Sequence, residues 1–149
     1  DCSMANWVLV SICSLELMTM ALKEVYGLLK KDGIFVALVN NEDFVGKRSQ
    51  TWRNGEAGKV YNSGDEIIST FFKDGSEDIA VHNYFWTKED YCTALRNAGF
   101  NQVRSFVPNY NNEEIIQEIK YLQDKGFFPE VDYKIDKKEA PTRLIVGIK

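Results

Sequence analysis

The chain has 149 residues, of which 44% are apolar and 13% aromatic, enough material for one domain with a hydrophobic core and too much for a disordered tail. Eighteen Lys and Arg against 22 Asp and Glu give a net charge of −4, so the overall field repels a phosphate backbone and argues against a nucleic-acid partner. The longest apolar run is far below the roughly 20 residues of a bilayer crossing, so no membrane partner is expected and a soluble protein is.

Trp7-Val-Leu-Val-Ser-Ile-Cys13 is a short continuous apolar run, which predicts a strand covered on both faces in a parallel sheet. Met18, Ala21, Leu22, Val25, Leu28 and Leu29 then recur at helical spacing, with Gly33 as the residue that ends the helix. Ile34 to Val39 predicts a second buried strand, parallel to the first across a right-handed crossover. From Asn40 to Asp65 the pattern vanishes into a long polar loop with four glycines, a candidate lid. Glu66–Phe72 and Asp78–Trp86 read as a hairpin around the turn at 73–76, so residues 40–86 form a lid loop and hairpin inserted in a single domain over 1–149.

Thr87 with Asp90 three residues later resembles a capping box, and Tyr91, Ala94, Leu95 and Ala98 make one apolar stripe before Gly99-Phe100. A strand follows over Val103–Val107. Asn112 can cap a further helix carrying Ile115, Ile116, Ile119 and Leu122 up to Gly126, Asp132 to Glu139 is a solvated connection, and Leu144–Ile148 is the last strand. Cys2, Cys13 and Cys92 are an odd number without CxxC spacing, and His82 stands alone, so no structural metal and a reducing, cytoplasmic compartment are expected.

The order of these elements, with Asn6-Trp-Val-Leu-Val-Ser-Ile-Cys13 as a fourth strand, Leu28-Leu-Lys-Lys-Asp-Gly-Ile-Phe-Val36 as an "LLKPGG" helix end plus fifth strand, and Tyr91–Phe100 as an "L..AGF" helix, resembles the C-terminal half of a class I S-adenosylmethionine-dependent methyltransferase. The resemblance implies an α/β, Rossmann-like sheet with parallel strands, flanking helices and a terminal antiparallel strand. It also implies S-adenosylmethionine as cofactor and methyl transfer to an oxygen or nitrogen of a small molecule. The chain departs from the family in carrying no GxGxG and no strand ending in an acid to hold ribose hydroxyls, so a preceding half or a partner chain is expected to complete it; the alternative is a non-catalytic binding module with the same fold.

Ligands of doubly wound sheets bind outside the carboxyl ends of the strands. On the resemblance, Ser11, Ile12 and Cys13 border the methionine part of the cofactor with Leu17 nearby; the bland reading is a strand finished by small residues. Asn40 and Asn41 either orient a polar substrate group or make a turn. His82 is a candidate proton acceptor for the methyl acceptor or a structural strand residue. Trp52 and Tyr84 either wall a substrate pocket, with Arg53, Tyr61 and Trp86, or belong to the core. Cys13 and Cys92 have no cationic neighbour in sequence and are assigned no nucleophilic role.

Overall fold

The computed structural model describes residues 1–49, 51–108, 113, 117, 121, 124 and 140–149. Its main sheet has four strands, β1 (Cys2–Asn6), β2 (Ile34–Asn40), β6 (Gln102–Phe106) and β7 (Thr142–Ile148), in the order β1-β2-β7-β6. β1 and β2 run parallel, while β7 lies antiparallel to both its neighbours, β2 and β6. A smaller antiparallel sheet holds β3 (Trp52–Asn54), β4 (Glu66–Lys73) and β5 (Ser76–Tyr84) in the order β3-β4-β5. Helices α1 (Leu15–Leu28) and α2 (Lys88–Ala98) pack against each other.

Alternation along β2 and β7 decides where the core lies. Phe35, Ala37, Val39 and Ile145 are buried in one cluster with Met18 and Leu22 of α1 and Tyr91, Ala94 and Leu95 of α2. The intervening residues Ile34, Val36, Leu38, Leu144 and Val146 face the other way and are exposed or half-buried. One face of the sheet therefore carries the helical layer.

The first expected strand is misplaced in the sequence reading. Residues Trp7–Cys13 are not a strand: β1 is Cys2–Asn6, and Leu9–Ser11 form a 3₁₀ turn. Trp7 adopts φ 60°, a left-handed conformation that stops extended backbone, and the turn then drops Leu9 and Val10 into the core. An apolar run of this length fits a buried turn as well as a buried strand, and periodicity cannot separate them.

The helix ends also differ. Helix α1 stops at Leu28 with an extended Leu29 as its cap, and the left-handed residue of the following turn is Asp32 (φ 61°) and not Gly33. Gly33 is needed for another reason, because a Cβ there would sit 2.8 Å from the Lys30 carbonyl oxygen. At α2 the expected signals hold: Thr87 and Asp90 form the reciprocal capping box, and Gly99 takes φ 111°.

The 40–86 segment carries more secondary structure than a loop and hairpin. Its hairpin is present, with a bulge at Phe71/Phe72, but β3 extends it to three strands and Glu42–Phe44 form a second 3₁₀ turn. Of the helix expected over 112–126, positions 113, 117, 121 and 124 are described and are helical; the remainder, with the 132–139 connection, lies outside the described residues.

Candidate active site at the carboxyl edge of the sheet

The carboxyl ends of β1 and β2, the end of β6 and the start of β7 fall on one edge of the main sheet. Three contacts dock the small sheet against the segment that leaves β1. The Trp7 and Trp52 rings meet edge to face with centroids 5.6 Å apart. Ser11 Oγ donates to Asn83 Oδ1 at 2.9 Å, and Trp86 Nε1 donates to the Ile12 carbonyl at 3.0 Å. The inserted sheet is thus bolted to the turn after β1, beside the carboxyl end of β2.

Behind Ser11 runs a buried polar chain. Asn83 Nδ2 donates to Ser69 Oγ at 3.0 Å and Ser69 Oγ donates to Asn54 Oδ1 at 2.8 Å, crossing β5, β4 and β3 on one face. All three residues are buried, and these bonds satisfy the side-chain oxygens of both asparagines and of the serine between them.

The start of the loop after β2 is fixed by Arg143. Its Nη1 donates to Ser105 Oγ (2.9 Å) and its Nη2 to Asn41 Oδ1 (3.0 Å), with Asp43 at 3.5 Å as an exposed counter-charge. Asn41 Nδ2 donates to the Ala140 carbonyl at 2.8 Å, so both ends of its amide are tied into the fold. Asn40 differs: it is buried, and its Oδ1 has no hydrogen-bond partner. A buried acceptor left open at a strand end is a polar group awaiting a donor. Glu42 accepts from the Lys88 backbone N–H, placing a carboxylate on the N-terminus of α2.

The remaining expected site residues are dispersed. Ile12 is half-buried with its carbonyl committed to Trp86, Cys13 is exposed, and Leu17 is exposed in the first turn of α1, where its N–H donates to the capping Ser14. Tyr84 packs against the core. His82 is exposed on β5, across the ladder from Ile68, on the opposite face of the small sheet from Asn83, and the structure does not bring it to the strand ends. Trp52 does reach them through Trp7. Sequence reasoning missed Trp7, Asn54, Ser69, Asn83 and Arg143; the signal available for Asn83 was a polar residue inside the apolar run Val81–Trp86.

Burial pushes the Cys92 thiol up and the Tyr91 phenol far above its ordinary value, so both stay protonated core groups. Among the described residues, no three His, Cys, Asp or Glu side chains converge as a metal site, and no helix is long and apolar enough to cross a membrane. An open groove of about 520 Å³ is lined by Leu15, Glu16, Thr19, Met20 and Lys23 of α1 and Asn97 of α2.

The fold of these elements, a mixed sheet with flanking helices, is shared with part of solved S-adenosylmethionine-dependent methyltransferases, in agreement with the resemblance drawn from the sequence. A Listeria monocytogenes protein assigned as an S-adenosylmethionine-dependent methyltransferase aligns over 100% of this chain and 61% of its own, with TM-score 0.54 and 21% identity. A Clostridium acetobutylicum S-adenosylmethionine-dependent methyltransferase aligns over 99% and 57%, with TM-score 0.51 and 12% identity. The CcbJ methyltransferase of Streptomyces caelestis aligns over 99% and 60%, with TM-score 0.53 and 7% identity. In sequence, N-demethylindolmycin N-methyltransferase of Streptomyces griseus is 36% identical over 72 residues, which are 48% of this chain and 30% of that enzyme. No family model matches the chain. The chain therefore spans about three fifths of the solved structures it resembles and less of the curated relative.

Proposed function

We propose that this chain is the acceptor-side part of an S-adenosylmethionine-dependent methyltransferase that methylates a nitrogen, or alternatively an oxygen, of a small molecule. The observation that carries the reading is the docking of the small sheet on the turn after β1, at the carboxyl ends of two parallel strands, the edge where ligands of such sheets bind. The sulfonium cofactor, when bound, supplies an electrophilic methyl group. Its methionine end suits this edge: the exposed Ser11 beside Ile12 and Cys13, and the face of Trp7. Leu17 is further along α1. A segment preceding β1, or a second chain, would contribute the glycine-rich half.

The work left to these residues is alignment and exclusion of water. Trp7 and Trp52 wall the mouth, and Asn40 orients a polar group of the acceptor. Asn41 shapes the same loop while bonded to Arg143, and Tyr84 supports the wall from the core side. A neutral amine attacks with its lone pair and can lose its proton to water afterwards, so this chemistry needs no resident base; His82 is kept only as a candidate proton acceptor for a hydroxyl. The name of the Streptomyces griseus relative favours nitrogen. The three free cysteines support a reducing, cytoplasmic setting.

The test uses the whole protein that carries this chain: calorimetric titration with S-adenosylhomocysteine, then mass-spectrometric detection of methyl transfer to a panel of small amines and alcohols that includes N-demethylindolmycin. Binding with amine methylation is expected, with His82→Ala within about twofold of normal turnover, well short of the 10²-fold or more that a removed base costs. Absence of binding would overturn the reading, and binding without transfer would favour a non-catalytic module.

A further inference from the structure

We propose that the outer edge of β5 is an interface between two copies of this protein, which pair antiparallel about a two-fold axis at Ala80 and join their small sheets into one sheet of six strands. β5 ends the order β3-β4-β5, and among the described residues nothing pairs with its outer side. The strand has nine residues, of which Ser76 to His82 are all exposed. A long exposed edge is a template for another strand unless it is blunted, commonly by lysine or proline, and β5 contains neither. Its bulge lies next to the hairpin turn, at Phe71/Phe72, and leaves 79–84 regular.

The backbone hydrogen bonds fix which groups are open at this edge. The Ile68 carbonyl accepts from the Gly55 N–H at 2.9 Å, toward β3, so Ile68 and its ladder partner His82 are a pair not bonded to each other. Phe85 turns both its N–H and its C=O inward, to Asp65 and Gly64. With a period of two, Ile79, Val81 and Asn83 bond to β4, while Ala80 and His82 turn their N–H and C=O outward. A two-fold at Ala80 therefore sets the two Ala80 residues opposite each other as a bonded pair.

Side chains select that register. On one face Ile79 meets the second copy's Val81, beside Phe71 of β4; these residues are 57%, 39% and 41% exposed, so pairing takes apolar surface out of water. On the other face His82 meets the acidic end of the second copy's strand, Glu77 and Asp78, where Asp78 is the extra residue of the bulge. The imidazole has an N–H to donate to a carboxylate, and symmetry makes the contact twice. Moving the axis to His82 would oppose two imidazoles, and moving it to Asp78 would oppose two carboxylates. The contact closes on itself, and the outermost strands of the joined sheet are the three-residue β3, already bridged by Arg48, so growth stops at two copies. Strand edges of this length bury on the order of 1,000 Å² in total, the low end for specific interfaces, which corresponds to a roughly micromolar dissociation constant.

The test is sedimentation equilibrium of the whole protein that carries this chain, from about 1 to 200 µM, where a monomer–dimer equilibrium is expected. Ala80→Pro removes only an outward N–H, so the small sheet keeps its own ladder; the dissociation constant should rise at least about tenfold, with the melting midpoint at the lowest concentration unchanged. His82→Glu, which sets a carboxylate against Glu77 and Asp78, should be monomeric as well, whereas His82→Gln keeps a donor and should pair like the parent. Should Ala80→Pro not fold, the two His82 variants decide. A parent protein that stays monomeric at the highest concentration overturns the inference, and so does a dimer that persists unweakened in Ala80→Pro or in His82→Glu, since the copies would then meet through another surface.

Discussion

Replacing Trp7 separates a backbone effect from a packing effect. The residue sits at φ 60°, is 37% exposed, and holds its ring edge to face with Trp52. Trp7→Ala and Trp7→Gly lose the same ring: hiding on the order of 100 Å² of aromatic surface at about 25 cal/mol per Å² is ~2.5 kcal/mol, and the ring pair adds about 1 kcal/mol. Both variants should therefore be about 3 kcal/mol less stable than the parent. They differ in the backbone. Alanine still bears the left-handed penalty of about 1–2 kcal/mol, and glycine does not; against this, glycine makes the unfolded chain about 0.4–1 kcal/mol more favourable. The balance leaves Trp7→Gly more stable than Trp7→Ala by roughly 0.5–1 kcal/mol, the reverse of the order in a helix, where Ala21→Gly in α1 should cost about 1 kcal/mol. Urea unfolding of the three variants reads the order directly. A Trp7→Ala protein as stable as Trp7→Gly, or more so, would show that the left-handed conformation is absent in solution.

Two further outcomes follow from the geometry. Arg143→Ala should destabilise by about 2 kcal/mol, because Asn41 and Ser105 lose a charged donor while the exposed Asp43 contributes little, and hydrogen exchange should quicken at Asp43 and Phe44. Cys2 and Cys13 are exposed and should react with a thiol reagent in the folded protein, whereas Cys92, buried and with its thiol pushed up, should react only on unfolding. Raising the pH increases every thiolate population, but the raised value moves the onset for Cys92 to higher pH, so mass spectrometry across a pH series should show it labelled last.

What the sequence reveals depends on how local the determinant is. The α2 signals, Thr87, Asp90 and Gly99, act within one turn of their own positions and read directly. Strand β2 reads because Ile34–Val39 is apolar on both faces. Strand β1 does not read, since Cys-Ser-Met-Ala-Asn has neither alternation nor β-branching and is a strand because β2 pairs with it. The adjoining Trp7–Cys13 run is apolar for the sake of the core beneath its turn, which drew the strand assignment six residues too far along. β3 has three residues and exists only through pairing with β4. The same limit governs the site: Ser11 and Asn83 lie 72 positions apart, and Arg143 reaches Asn41 across 102, so their chemistry appears only once the chain has closed on itself.

The central position of β7 sets the order in which the sheet can assemble. β7 is synthesised after β6, yet it occupies the place between β2 and β6, pairing Ile148 with both Ile34 and Gln102. A nascent chain that has emerged only as far as β6 holds two strands whose shared neighbour does not yet exist, and Val36, Val39 and Val103 stand at unpaired edges. Non-local pairing of this kind is slow, and open apolar edges invite association. Chaperone occupancy on the ribosome should therefore persist until Thr142–Ile148 clears the exit tunnel.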